Sequence, residues 1–368
     1  ARMSAAERDG AARMSADERD RAGLNGDAAV PVLEVDDLTV ELLTGSGWTP
    51  VLEHVTFDVR RGEVVGLVGE SGSGKSITGL SIMGLLPRRQ SRISGGEVRF
   101  DGTAISRASE RELRALRGDR IAMVFQEPMT SLNPAFTIGD QIAEAVRIHR
   151  KGSRKAARER AIEVLEMVGI PAARRRVDSY PHEFSGGMRQ RVMIAMAISC
   201  EPELLICDEP TTALDVTVQA QVLELLMDLR RELDMGVLLV THDLSVIAET
   251  SDRVVTMYAG QVVERSDVGP LFERPGHPYS LGLLHSILAE PNADGELSFI
   301  PGRPPDLGNR PPACRFAPRC WMARDVCGSV EPMLRNVDTS VSRCHFAEDV
   351  PPVHHHVAGA SPGDGGLH

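Results

Sequence analysis

Aromatic residues make up only 4% of this 368-residue chain. A core built without them must rely on Val, Leu, Ile, Met and Ala, and an apolar content of 42% can supply one. Long apolar runs are also missing: the best, "VMIAMAIS" at 192–199, falls far short of the roughly 20 residues that span a bilayer. There is no basic excess either. The formal net charge is −11, which argues against a nucleic-acid partner, because phosphate contacts need clustered Lys and Arg. The basic run "RIHRKGSRKAARER" (147–160) reads as a solvated face.

The N-terminal residues lack the apolar stretch of a signal peptide. They repeat at an 11-residue offset, "ARMSAAERD" then "ARMSADERD", and residues 1–30 read as a mobile tail. Residues 348–368, rich in Pro and Gly, read as a disordered tail. The expected compartment is the cytosol.

Between these ends the pattern is that of an α/β protein. "VLEVDDLTVEL" (32–42) alternates as a strand does, and "LEHVTFDVRRGE" follows as a second run. "VVGLVG" (64–69) is continuously apolar, as expected of a strand covered on both faces. "GGEVRFDG" (95–102) suggests an antiparallel strand closed by an Asp-Gly turn. Helical periodicity runs from about 139 to 200, and strands return at 203–210, 236–243 and 253–264. This alternation predicts a mainly parallel sheet with helices on both faces. Past residue 270 Pro becomes denser and periodicity weakens, which places a domain boundary near 265–275.

"GESGSGKS" (69–76) directly follows the buried strand and precedes a helix, the context a phosphate-binding loop requires. Gly69, Ser71, Gly72, Ser73 and Gly74 turn backbone N–H groups inward; Lys75 can reach the β- and γ-phosphates, and Ser76 can ligate Mg²⁺. "LLICDE" (204–209) presents Asp208 and Glu209 at a strand end, Asp208 suited to Mg²⁺ and Glu209 to polarising a water.

Together with "FSGGMRQR" (184–191), these motifs resemble the nucleotide-binding subunit of an ABC transporter. Ser185, Gly186 and Gly187 stand in that family's signature, Gln126 in its Q-loop, Asp215 of "TTALD" in its D-loop, and His242 of "VTHD" at its switch position. The resemblance covers about 32–347. It narrows to the peptide and nickel importer branch through "FQEPMTSLNP" (125–134), "YPHEFSGGMRQR" (180–191), "HPYSLGLL" (277–284), "IPGRPP" (300–305) and "CRFAPRC" (314–320). It implies an ABC-type P-loop NTPase fold. A RecA-like, mainly parallel core would carry an antiparallel β subdomain and a helical subdomain (about 127–200) within 31–270, followed by a small Cys-rich C-terminal domain (271–347).

The resemblance also implies ATP and Mg²⁺ as ligands, with Gln126 joining Ser76 and Asp208 around the metal and His242 holding the γ-phosphate. Trp48 is placed either to stack on adenine or to sit as an exposed loop residue. Implied partners are two permease subunits, a second ABC ATPase in a heterodimer, and an extracellular binding protein, with this subunit peripheral on the cytoplasmic membrane face. A nickel or other small-solute importer, and a soluble non-transport ABC ATPase, are the alternative functions.

Four of the six cysteines, Cys314, Cys320, Cys327 and Cys344, crowd into one Pro-rich segment, whereas Cys200 and Cys207 sit in apolar runs. A reducing cytosol disfavours disulfides. Four thiolates suit tetrahedral Zn²⁺ or a [4Fe–4S] cluster; the resemblance favours the cluster, with zinc second and unliganded cysteines third. His345, beside Cys344, reads as a bystander, with a substitute ligand as the alternative.

Overall fold

The computed structural model describes residues 30–126, 131–212, 214–288, 300–306 and 309–353. Of the expected tails, 1–30 and 348–368, residues 1–29 and 354–368 lie outside them. Residues 348–353 are not a disordered tail: Glu348 pairs with Arg335, and Val350 and Val353 are buried against the cassette. A four-stranded antiparallel sheet is ordered β2-β1-β4-β5, from β1 (Leu33–Thr44), β2 (Gly47–Val59), β4 (Ser91–Phe100) and β5 (Thr103–Ala104). The Asp101-Gly102 turn joins the last two strands, as the sequence predicts.

The main sheet is ordered β11 (Arg335–Val337), β12 (Ser340–Ser342), β10 (Gln261–Asp267), β9 (Arg253–Tyr258), β3 (Val64–Val68), β8 (Gly236–Thr241), β7 (Leu204–Asp208) and β6 (Ile121–Val124). Its parallel part comprises β6, β7, β8, β3 and β9. Every residue of β3, β7 and β8 is buried, so continuous apolar runs were the right signal for strands covered on both sides. Alternation then divides the residues between layers. Val65 and Leu67 face the core shared with the antiparallel sheet, whereas Val64 faces the helical side.

One element differs from the sequence reading. The run 253–264 is not one strand: it turns at Ala259–Gly260 and pairs back as β9 with β10 (Gln261–Asp267). Alternation cannot report such a reversal when both arms are buried. Beyond 270 the chain packs back against the cassette. β11 (Arg335–Val337) and β12 (Ser340–Ser342) extend the main sheet through β12–β10 pairing. The scarce aromatics gather here: Tyr258, Tyr279 and Phe316 are buried together, with centroids 4.7–5.4 Å apart and Phe316 edge to face with both tyrosines. This segment therefore completes a core together with the cassette instead of building its own.

Candidate active site

The carboxyl ends of β3, β7 and β8 lie side by side, the edge where open α/β sheets place their ligands. The loop after β3 turns into the helix Lys75–Ile82. Gly74 caps that helix in the left-handed region (φ 107°), and a Cβ there would lie 2.7 Å from Leu52 Cδ2, so glycine is required. No side chain among the described residues caps the helix. The N–H groups of its first turn thus lack partners within the helix, at the positive end of its dipole. Ser73 Oγ is also buried, with no hydrogen-bond partner among the described residues. This donor set suits a phosphate chain.

Lys75 is buried, and its Nζ donates to the carbonyl oxygens of Gly69 (2.6 Å) and Glu70 (3.1 Å). Burial draws its pKa down, against the opposing charges of Glu209, Asp208 and Glu70. Ser76 Oγ donates to Asp208 Oδ1 at 3.0 Å, which brings the two expected Mg²⁺ ligands together. Burial pushes the Asp208 carboxyl up, and the Ser76 bond only partly offsets this.

Three side chains converge on Glu209. Gln126 Nε2 and Thr212 Oγ1 each donate to its Oε2 at 2.9 Å, and His242 Nδ1 lies 3.3 Å from Oε1. Burial would raise the Glu209 pKa, but the bonds from Thr212 and His242 outweigh it and hold the carboxylate below its usual range. The site thus holds an ionised, oriented acceptor beside a phosphate-binding loop. Thr212 was not singled out from the sequence, although it lies within "TTALD"; its place three residues after Glu209 was the available signal.

The remaining residues lie apart. Ser185 caps the helix Gly186–Ile198, its Oγ accepting from Met188 N–H at 3.4 Å, and Ser185 and Gly186 face solvent. At Gly187 a Cβ would come within 2.4 Å of Val218 Cγ1, so glycine lets two helices approach. Asp215 caps the helix Val216–Leu233 through Val218 N–H at 3.0 Å. Trp48 lies on β2, four residues from Leu52, and is 38% exposed; the Arg92 guanidinium covers one ring face at 4.5 Å.

Cys314, Cys320, Cys327 and Cys344 line one cavity with His277 and His345. All six cysteines are free thiols, and Cys200 and Cys207 are buried. Among the described residues no group of three or more His, Cys, Asp or Glu side chains is arranged to hold a metal ion. The thiols nevertheless sense one another. Burial first, and then the neighbouring cysteines, push Cys320 up to about 11 and Cys344 up to about 12. His345 Nε2 is engaged with Val330 O at 2.9 Å.

Comparison with known proteins agrees with this geometry. Residues 52–212 match the ABC transporter family, and residues 263–327 match the oligopeptide/dipeptide transporter C-terminal region. The oligopeptide transport ATP-binding protein AppD of Bacillus subtilis is 49% identical over 322 residues, covering 86% of this chain and 97% of its own. The dipeptide transport ATP-binding protein DppD of Escherichia coli is 47% identical over 319 residues, covering 86% and 97%. Among solved structures, the cassette MJ0796 in a post-hydrolysis dimer with ADP and Pi aligns with a TM-score of 0.57 and 31% identity. That alignment covers 64% of this chain and 98% of the other. CbiO1 of Clostridium perfringens aligns at 0.56 and 27% identity, covering 66% and 90%. No described helix is long and apolar enough to cross a membrane. The chain belongs to the ATP-binding cassette ATPases of ABC transporters, in the branch that carries the oligopeptide/dipeptide transporter C-terminal region.

Proposed function

We propose that this ATPase powers uptake of di- or oligopeptides from the cytoplasmic face of a membrane. The convergence of Gln126, Thr212 and His242 on Glu209, beside the phosphate loop, carries the catalytic part of this reading. The C-terminal match and the peptide-transport relatives support the substrate class.

Residues 69–76 hold the triphosphate through backbone N–H groups and Lys75. Ser76, Asp208 and Gln126 would hold Mg²⁺, whose charge would offset that of the phosphates. Glu209 accepts a hydrogen bond from the attacking water, and His242 fixes that water and the γ-phosphate in line. Trp48 offers its free face to adenine. Ser185, Gly186 and Gly187 present a helix N-terminus to solvent, available to the nucleotide of a facing second ATPase, and Asp215 lies on the same interface. The helical subdomain (127–200) meets the permease pair, and an extracellular binding protein delivers the solute. The cassette occupies 31–270 and the C-terminal unit 271–347.

Cys314, Cys320, Cys327 and Cys344 form a metal centre in this reading, a [4Fe–4S] cluster in preference to Zn²⁺. Its support is that all four thiols line one cavity, where burial and then the neighbouring cysteines raise the pKa of Cys314, Cys320 and Cys344, which bound metal would reverse. The role is structural, because ATP-driven transport needs no electron.

The test is uptake by the purified transporter in vesicles with its permeases and binding protein. ATP-dependent accumulation of labelled dipeptides, and none of nickel, is expected. Nickel accumulation without peptide uptake would assign the other solute.

A further inference from the structure

The second residue of the phosphate loop is an acid. Glu70 places a carboxylate on a loop read here as meeting a polyanion, and it is close enough for its charge to act on Lys75. The C-terminal segment answers it directly. Arg319 is buried, with 4% of its side chain exposed, and grips Glu70 with a two-pronged pair: Nη1 to Oε2 at 2.6 Å and Nη2 to Oε1 at 3.0 Å. Its Nε donates to Pro301 O at 2.8 Å, so the guanidinium is aimed from behind. Glu70 N–H donates to the buried hydroxyl of Tyr279 at 2.8 Å, which fixes the same residue's backbone. Glu70 O in turn accepts from Ser73 N–H and from Lys75 Nζ. The C-terminal segment and the heart of the loop are therefore two bonds apart.

We propose that Arg319 is a positioning residue for ATP binding: it cancels the Glu70 charge and holds the loop, so that the C-terminal segment sets nucleotide affinity. Arg319 lies between Cys314 and Cys320, on the turn Ala317–Arg319, whose end Cys320 forms. The inference rests on reading residues 69–76 as the phosphate site.

The experiment measures Mg-ATP dissociation constants, KM and kcat for the full chain carrying Arg319→Gln, Glu70→Gln, both, and separately Lys75→Ala. Arg319→Gln leaves an unpaired carboxylate on the loop and should weaken ATP binding about tenfold or more, raising KM with little change in kcat. Glu70→Gln removes the charge that Arg319 cancels and is the reference state of the cycle. The double variant should recover to within about threefold of Glu70→Gln, which a merely structural loss at Arg319 would not do. If Arg319→Gln does not fold, Arg319→Lys, which keeps the charge but loses the fork, takes its place in the cycle; a smaller deficit again relieved by Glu70→Gln is then expected. Wild-type affinity in the Arg319 variant, or a double variant as weak as the single one, overturns the proposal. Undiminished ATP binding by Lys75→Ala would instead overturn the phosphate-loop reading beneath it.

Discussion

Gln126 and Glu209 are joined by a 2.9 Å hydrogen bond across 83 residues of sequence, from the end of β6 to the end of β7. The amide orients the carboxylate from the side where the helical region begins. Removing it should cost turnover more than affinity. Gln126→Ala is expected to lower kcat about tenfold or more while the ATP dissociation constant changes little, as steady-state kinetics and titration would show.

Gly74 holds a left-handed conformation against Leu52. Gly74→Ala adds both backbone strain and a clash, and should destabilise the loop by about 1–2 kcal/mol. The expected readouts are a lower unfolding midpoint and weakened ATP binding. Gly72 is also left-handed but has open space around its Cβ position, so Gly72→Ala should be the milder of the two.

Glu264 is fully buried, and burial pushes its carboxyl from 4.5 up to about 7. Between about pH 4.5 and 7 the unfolded chain loses this proton while the folded chain keeps it. That share of stability is complete below the unfolded value and is lost as pH rises toward 7. Glu264→Gln cannot ionise. Wild type should therefore lose stability relative to the variant across this window and run parallel to it above, in chemical denaturation at stepped pH. Parallel curves throughout would show that the carboxyl titrates normally.

The proposed cysteine centre makes a chemical prediction. Protein purified without oxygen should be brown, absorb broadly near 400 nm, and contain about four irons per chain. Cys320→Ser should remove most of the colour and iron. Colourless protein with one zinc would replace the cluster while leaving the four-thiol site standing.

The elements built from continuous apolar runs were legible in the sequence, because strands buried on both faces need no alternation. β6 escaped notice, since "IAMV" is only four residues long and one of many short apolar runs. The phosphate loop, Asp208 and Glu209 were legible because their chemistry is local: a strand end, glycines at turning points, carboxylates at the next strand end. The pairs Arg319–Glu70 and Arg315–Glu53 were not, being 249 and 262 residues apart with no pattern to join them. The same holds for the aromatic cluster, whose members at 258, 279 and 316 look isolated along the chain. Asp215 shows the converse: a motif position whose visible work in the folded chain is to cap a helix.

The role of Glu209 is the centre of this account, and one substitution tests it most directly. Glu209→Gln keeps the side chain's size, and its amide oxygen can still accept from Gln126 and Thr212, while the charge that polarises water is removed. Measured in the assembled transporter, it should bind Mg-ATP as tightly as wild type, trap the nucleotide unhydrolysed, and lose roughly 100-fold or more in kcat. A variant that retained more than about a tenth of wild-type turnover would contradict the assignment.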